Sequence, residues 1–413
     1  MELIFENEIA VVAIIKNESR YISEWLEYHY RIGVDKFYIY DNDSEDRSEL
    51  MKILDPWIQN HIVEYKFFPG ICRQMPAYND AIEKHRFDCR YMAFIDLDEF
   101  IFVKTGQTLL EFLNDFFAQD PRIAGLAVNW RMFGTSGRNF YEPIDVTERF
   151  THRAPDNYEE NFLIKTIADP RKIFYMPISH CAIYMFGTFC CDENFNVVLE
   201  YKNPANTCEK IQMNHYFTKS IEEYTQKISR GRADNGSIRQ AQTQLNSILN
   251  EVHDQNLRDY YRMLKQQPLP LVKNHSEQKI LENVEKMLDP FLNSDLPDEV
   301  FHGHMTKFLT CFSLIEKTSL LSKKDQSDMK ILVLNYLQKS ITNAKLKPHD
   351  WLLLSTAWRE ILMTNTKSAA NILEMFYQVL LRIIRMTEDE MKTEQTFLLR
   401  QIQKDLHMIL IND

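Results

Sequence analysis

An apolar run broken by no polar side chain, Ile9-Ala10-Val11-Val12-Ala13-Ile14-Ile15, constrains this chain more than any other feature. Its β-branched residues do not alternate with polar ones, so both faces must be covered, as in an interior strand of a parallel sheet. Parallel strands need crossover connections, and the next stretch of chain supplies one. Residues 18–30 place Tyr21, Ile22, Trp25, Leu26 and Tyr28 at helical spacing, and Gly33 ends the helix on its C-terminal side. A second strand over 36–40 then runs into the polar turn Asp41-Asn42-Asp43-Ser44.

The unit repeats, with helices expected over 50–57 and 75–85 and strands over 62–65 and 91–95. Such alternation predicts a mainly parallel α/β sheet with helices on both faces, where ligands bind beyond the carboxyl ends of the strands. Asn17-Glu18, Asp41-Asn42-Asp43 and Asp96-Leu97-Asp98 each follow a strand and should converge on that edge. From 123 to 216 the pattern loosens. Strands are expected over 124–130, 163–167 and 182–186, with the loop Phe133-Gly134-Thr135-Ser136-Gly137 between, completing the sheet and shaping one side of the ligand-binding edge. Glycine nearly disappears after Gly236, and amphipathic patterns over 328–344 and 366–386 predict helices. The expected division is an α/β domain over 1–240 and an α-helical C-terminal domain over 241–413.

A formal net charge of −11 supplies no global positive field for a polyanion, so nucleic acid is not an expected partner. The first residues carry Glu2, Glu6 and Glu8 and lack the marks of a signal peptide. No apolar run reaches the roughly 18 residues that span a bilayer. A cytoplasmic protein is expected, its apolar tail stripes packing as a bundle or touching the inner face of a membrane. The 7 cysteines include the adjacent Cys190-Cys191 and no CxxC spacing, which reads as buried free thiols.

In Ala93-Phe94-Ile95-Asp96-Leu97-Asp98-Glu99-Phe100 an apolar strand ends in two carboxylates on one side of the chain, about 6–7 Å apart from the strand rise. Both can serve one Mn²⁺ or Mg²⁺, a hard cation that commonly bridges carboxylates to phosphates. In sugar transfer such a cation offsets the charge developing on a nucleoside diphosphate leaving group. A solvated turn is the plain alternative. Haloacid-dehalogenase phosphatases also end a strand in Asp-x-Asp, but there a Thr or Val follows the second Asp by two and the motif opens the fold. Here Phe100 holds that position, after several βα units.

Further segments appear in a fixed order: Val11 to Glu18, Glu24-Trp25-Leu26-Glu27-Tyr28-His29, Gly33 to Ser44, Gln74-Met75-Pro76-Ala77-Tyr78-Asn79-Asp80, Phe94 to Phe100, Trp130-Arg131-Met132-Phe133-Gly134 and Asn214-His215-Tyr216-Phe217-Thr218-Lys219-Ser220. Over residues 9–235 this series resembles the family 92 and family-2-like glycosyltransferases. The resemblance implies a GT-A fold, a Rossmann-like mixed sheet, binding a UDP-sugar with Mn²⁺ or Mg²⁺. It places Asp41 on the nucleoside, although Asp-Asn-Asp-Ser is also good turn chemistry. Asn17 and Glu18 would line the base pocket and Gln74 would join the donor-binding set.

Asp98 matches the metal ligand, and Asp96 the metal or the ribose. His215 would complete the metal shell, against the plain reading of a core histidine. Lys219, with Arg230 and Arg232, would neutralise the diphosphate. Trp130 and Arg131 would form a sugar or acceptor wall beside glycines that permit close backbone approach. His180 would touch acceptor or phosphate, a buried hydrogen-bonded histidine being its plain reading.

Inversion requires a carboxylate base, for which Glu148 matches a family position; Asp192 is its rival, with Glu193 beside it. The expected activity is metal-dependent hexose transfer from a UDP-sugar to an oligosaccharide, lipid-linked or surface glycan. A carbohydrate-binding or scaffold protein on the same fold is the non-enzymatic alternative. A sugar nucleotidyltransferase is another, though Lys16-Asn17-Glu18-Ser19 lacks the Gly-rich loop it would want.

Overall fold

The computed structural model describes residues 5–86, 88–185, 187–229, 245–269 and 271. Two compact units divide the chain: Asn7–Tyr184 with Thr188–Asn274, and Met1–Glu6, Met185–Gly187 with His275–Asp413. Nearly all of the latter, including the helices expected over 328–344 and 366–386, lies outside the described residues. Residues 245–269, from the start of the expected helical domain, belong to the α/β unit.

That unit opens with β1 (Asn7–Ile15), α1 (Ser19–Arg31), β2 (Lys36–Asp41), α2 (Arg47–Gln59), β3 (Val63–Phe67), α3 (Gln74–His85) and β4 (Cys89–Phe94). It continues with β5 (Glu99–Val103), α4 (Leu109–Phe117), β6 (Ile123–Met132), α5 (Val146–Arg149), β7 (His152–Arg153), β8 (Ile164–Ala168), β9 (Ile173–Tyr175), β10 (Ile183–Tyr184), β11 (Phe189–Cys191) and β12 (Ile211–His215). Helices α6 (Ile221–Ser229), α7 (Leu245–Ile248) and α8 (Asn256–Lys265), with β13 (Val252–His253) before α8, close the series.

One mixed sheet of order β3-β2-β1-β4-β8-β6-β12-β5 organises the unit, with β11 paired to β6. The strands β3, β2, β1 and β4 are mutually parallel, as the apolar run in β1 requires. Ile9, Val11, Ala13 and Ile15 enter the core under α1 and α2, while Ala10, Val12 and Ile14 pack with Tyr78 and Ala81 of α3. Covering both faces is what an all-apolar strand demands. Gly33, at φ 105, takes the left-handed turn after α1, with Val34 N donating to His29 O at 3.0 Å. The expected strand over 182–186 is instead a two-residue ribbon, β10, paired with β9 outside the main sheet.

The half less legible in sequence folds back on itself. Strand β8 runs antiparallel to β4 and β6, and β12 lies between β6 and β5, parallel to the first and antiparallel to the second. The Asp-x-Asp segment thus leads straight into a strand that returns beside β12. Trp25 Nε1 donates to Glu99 O at 2.9 Å and Tyr28 OH to Ile101 O at 2.6 Å, so α1 fixes β5 from beneath.

Candidate active site

Leu97 is buried in the core, and Asp96, Leu97 and Asp98 lie in the turn between β4 and β5. The turn around them is closed by Glu99 N donating to Asp96 O at 3.0 Å and Asp96 N donating to Glu99 Oε2 at 2.8 Å. Tyr216 N donates to Asp98 O at 2.8 Å, and in the register of β5 with β12, His215 stands opposite Glu99.

Asp96 accepts from Gln74 Nε2 at 2.8 Å and Tyr78 OH at 3.3 Å on one oxygen, and from Lys165 Nζ at 2.9 Å on the other. Its side chain keeps 33% of its surface. Lys165 is wholly buried and also lies 3.3 Å from Glu99 Oε2. Burial alone would lower the Lys165 pKa, but Asp96 and Glu99 outweigh it and hold the ammonium charged. Burial pushes the Glu99 carboxyl well above its usual range, opposed by Lys165, and its Oε1 has no hydrogen-bond partner among the described residues.

Asp98 is the more enclosed carboxylate. Burial would raise its pKa, but Lys227, His215 and Lys219 hold it well below the usual range. Lys227 Nζ, from the last turn of α6, forms a short ion pair with Asp98 Oδ2 and donates to Phe217 O at 3.2 Å. His215 Nε2 lies 3.4 Å from the same oxygen, and burial lowers the imidazole pKa against the pull of Asp98. The indole of Trp130 packs on that ring at 4.2 Å between centroids, and among the described residues neither Trp130 Nε1 nor His215 Nδ1 has a hydrogen-bond partner. His180 meets the other edge of Trp130 at 5.1 Å, its Nδ1 2.9 Å from Ile164 O. Burial, with Lys165 nearby, pushes its pKa down to about 4.

His215, Lys219 and Lys227 thus gather around the Asp98 carboxylate, with Asp96, Gln74 and Lys165 beside it. Among the described residues no group of three or more His, Cys, Asp or Glu side chains is arranged to hold a metal ion. Asp98 and His215 converge, while the Asp96 carboxylate is turned to Gln74 and Lys165. Lys219, at φ 51, lays its ammonium 4.1 Å from the Tyr21 ring centroid.

At the ends of β1 and β2, the Asp41 carboxylate accepts from Ser44 N at 2.9 Å, Arg47 Nε at 3.0 Å and Tyr65 OH at 2.6 Å. Burial would raise its pKa, but these partners lower it. Asn17, at φ 57, donates from its backbone N to Ser44 Oγ at 3.0 Å, and its side chain accepts from Glu45 N at 2.7 Å. Glu18 precedes α1 without a side-chain cap bond. These residues form one turn at the ends of β1 and β2, the juxtaposition the sequence predicts, with Asp41 bonded within it.

Several other candidates face elsewhere. Arg131 alternates with Trp130 along β6 and bonds Asn206 Oδ1 at 2.6 Å, with Asp156 at 3.5 Å. Glu148 is held in a two-pronged ion pair by Arg262 of α8. Asp192 is fully buried and accepts from Asn194 N, Asn196 N and Asn203 Nδ2, while Glu193 accepts from the backbone of Glu209, Lys210 and Ile211. Among the described residues, the partners of these carboxylates lie outside the acidic centre. The close approach at Gly134 is made by the chain itself: a Cβ there would meet Leu249 O at 2.5 Å. Arg230 and Arg232 lie outside the described residues.

Sequence reasoning missed Lys165, Glu99 and Lys227. Lys165 carried a usable signal, a lone cation in the apolar strand Ile164-Lys165-Thr166-Ile167-Ala168. Lys227 carried none nearby, since its partner is 129 residues away. No described helix is long and apolar enough to cross a membrane.

The glycosyltransferase family 92 model matches residues 11–249, more than half of the chain. A family 92 protein of Oryza sativa subsp. japonica is 32% identical over 156 residues, 37% of this chain and 26% of that protein. One from Ricinus communis is 28% identical over 148 residues, 36% and 26% of the two chains. A galactan beta-1,4-galactosyltransferase of Arabidopsis thaliana is 28% identical over 121 residues, 26% and 24%. The chain spans about a quarter of the length of these relatives.

Proposed function

The chain belongs to glycosyltransferase family 92, and from that premise we propose that it transfers a hexose from a UDP-sugar to a glycan acceptor at the edge where β1, β2 and β4 end. The observation that carries this reading is the convergence of Asp98, just past the end of β4, with His215, Lys219 and Lys227 from a distant stretch of chain, while Asp96 is held beside it by Gln74 and Lys165. Cations gathered about an acidic pair suit a donor whose diphosphate gains a further negative charge as it leaves.

The fit to a divalent cation rests on Asp98 and His215. They offer a carboxylate oxygen and the imidazole Nε2 3.4 Å apart, on a ring whose pKa burial lowers, a donor set that suits such a cation. Mn²⁺ or Mg²⁺ held there would supply positive charge opposite the departing diphosphate. The chain's own groups do the rest. Gln74, Tyr78 and Lys165 fix Asp96, whose exposed fraction faces the ribose or cation; Lys219 adds charge near the phosphates; Trp130 walls the sugar. In transfer the acceptor oxygen bonds to the anomeric carbon, the bond to the diphosphate oxygen breaks and UDP leaves, while the acceptor proton passes to a base. Inversion is the course we infer, on the family resemblance.

The test is a panel of UDP- and GDP-sugars scored for hydrolysis and thermal stabilisation, with Mn²⁺ and with chelator. A UDP-sugar that stabilises the protein and is hydrolysed only with cation supports the reading. Indifference to every UDP-sugar overturns it.

A further inference from the structure

Helix α6 carries two charged side chains one turn apart on the same face, Glu223 and Lys227. Glu223 is an anchor: it accepts from Arg149 at 2.7 and 3.0 Å in a buried, two-pronged ion pair, and from Tyr21 OH at 2.9 Å. Lys227 is the other end of the same face, and its ammonium sits on Asp98 Oδ2, the oxygen that His215 Nε2 also approaches. The ammonium lies over the Phe217 ring, 4.2 Å from its centroid.

We propose that Lys227 is a built-in counter-ion competing with the divalent cation for Asp98, released to the donor's diphosphate when cation and nucleotide bind together. This rests on the donor reading above. Two cations on one carboxylate oxygen repel at short range, so ammonium and metal exclude each other there. With Glu223 clamped by Arg149, α6 stays in place while the flexible four-carbon stem of Lys227 turns. The anion that then replaces Asp98 as its partner is the diphosphate. Cation alone must displace the lysine without compensation; cation with UDP gives it a new partner. Binding of the two is therefore cooperative, and the Asp98 charge is never left bare in a site waiting for donor.

The experiment is calorimetric titration of the whole chain with Mn²⁺, with and without UDP, for wild type, Lys227→Gln, Lys227→Arg and Asp98→Asn. Wild type should bind Mn²⁺ at least about 10-fold more tightly with UDP than without, a coupling of ordinary size. Lys227→Gln should bind Mn²⁺ alone about 10-fold more tightly than wild type and lose most of the UDP coupling. Lys227→Arg, which keeps the charge, should stay close to wild type, and Asp98→Asn should lose Mn²⁺ in every arm. Lys227→Gln binding Mn²⁺ no more tightly than wild type overturns the competition while leaving Mn²⁺ binding with UDP intact. If wild type takes no Mn²⁺ even with UDP, and binds UDP equally in chelator, the cation reading itself falls, a different pattern.

Discussion

Lys165 donates to Asp96 across 2.9 Å from a position with no solvent exposure, and the same ammonium lies 3.3 Å from Glu99. One buried cation thus sets the orientation of the exposed half of the acidic pair. Lys165→Met should leave Asp96 and Glu99 without their counter-charge, and breaking a buried pair from one side typically costs about 3–5 kcal/mol. Urea denaturation measures this. Adding Glu99→Gln should recover part of the loss.

Asp98→Asn keeps the shape of the side chain and removes the charge that Lys227, His215 and Lys219 surround. Turnover of the UDP-sugar should fall by roughly 10²–10³-fold, the scale of losing a main electrostatic contact in a transition state. Steady-state hydrolysis checks it. An Asp98→Asn protein as active as wild type would remove Asp98 from the chemistry.

Glu223 adds a pH signature. Burial would raise its carboxyl, but Arg149 and Ser220 bring it down to about 2 from the ordinary 4.5. A depressed folded-state pKa contributes stability that is complete above the unfolded value and is lost as pH falls from about 4.5 toward 2. Glu223→Gln should cost about 3 kcal/mol at neutral pH, with the difference from wild type closing across that acid window. Thermal melts at stepped pH read both.

Glu148 and Asp192 separate by their surroundings. The Glu148 pair with Arg262 is partly exposed, so Glu148→Gln should cost no more than about 1 kcal/mol. Its kcat should change by less than about 2-fold, against 10²–10⁴-fold for loss of a general base. Asp192→Asn should instead lower the melting temperature, because its carboxylate organises the turn from Asp192 to Asn196.

Gly134→Ala would set a Cβ 2.5 Å from Leu249 O, a backbone atom that cannot swing away. A penalty of about 1–3 kcal/mol is expected by chemical denaturation, the usual cost of overfilling a packed contact.

The first half of the fold was legible because each βα unit is local. The apolar run of β1, the helical spacing of Trp25 and the stop at Gly33 each need only their own neighbours, and the three polar strand ends then fall on one edge by parallel topology. The second half was not, because β8 and β12 owe their places to distant partners. The same division holds for the site. Asp96 and Asp98 announce themselves by spacing, and His215 by the resemblance. Lys165 and Lys227 become partners of those carboxylates only through tertiary pairing. Gly134 was read as room for a ligand, whereas the neighbour it admits is Leu249.

Because Asp98 and Lys227 are 129 residues apart in sequence, the charged centre is closed by a long-range contact. Closing so long a loop is entropically costly before any contact rewards it, and folds governed by such contacts form slowly. During synthesis the acidic turn leaves the ribosome well before β12 and α6 exist to meet it. A nascent chain can therefore hold a nearly complete parallel half-sheet while its chemistry is still unassembled, and a truncation before β12 would leave Asp98 without His215 or Lys227.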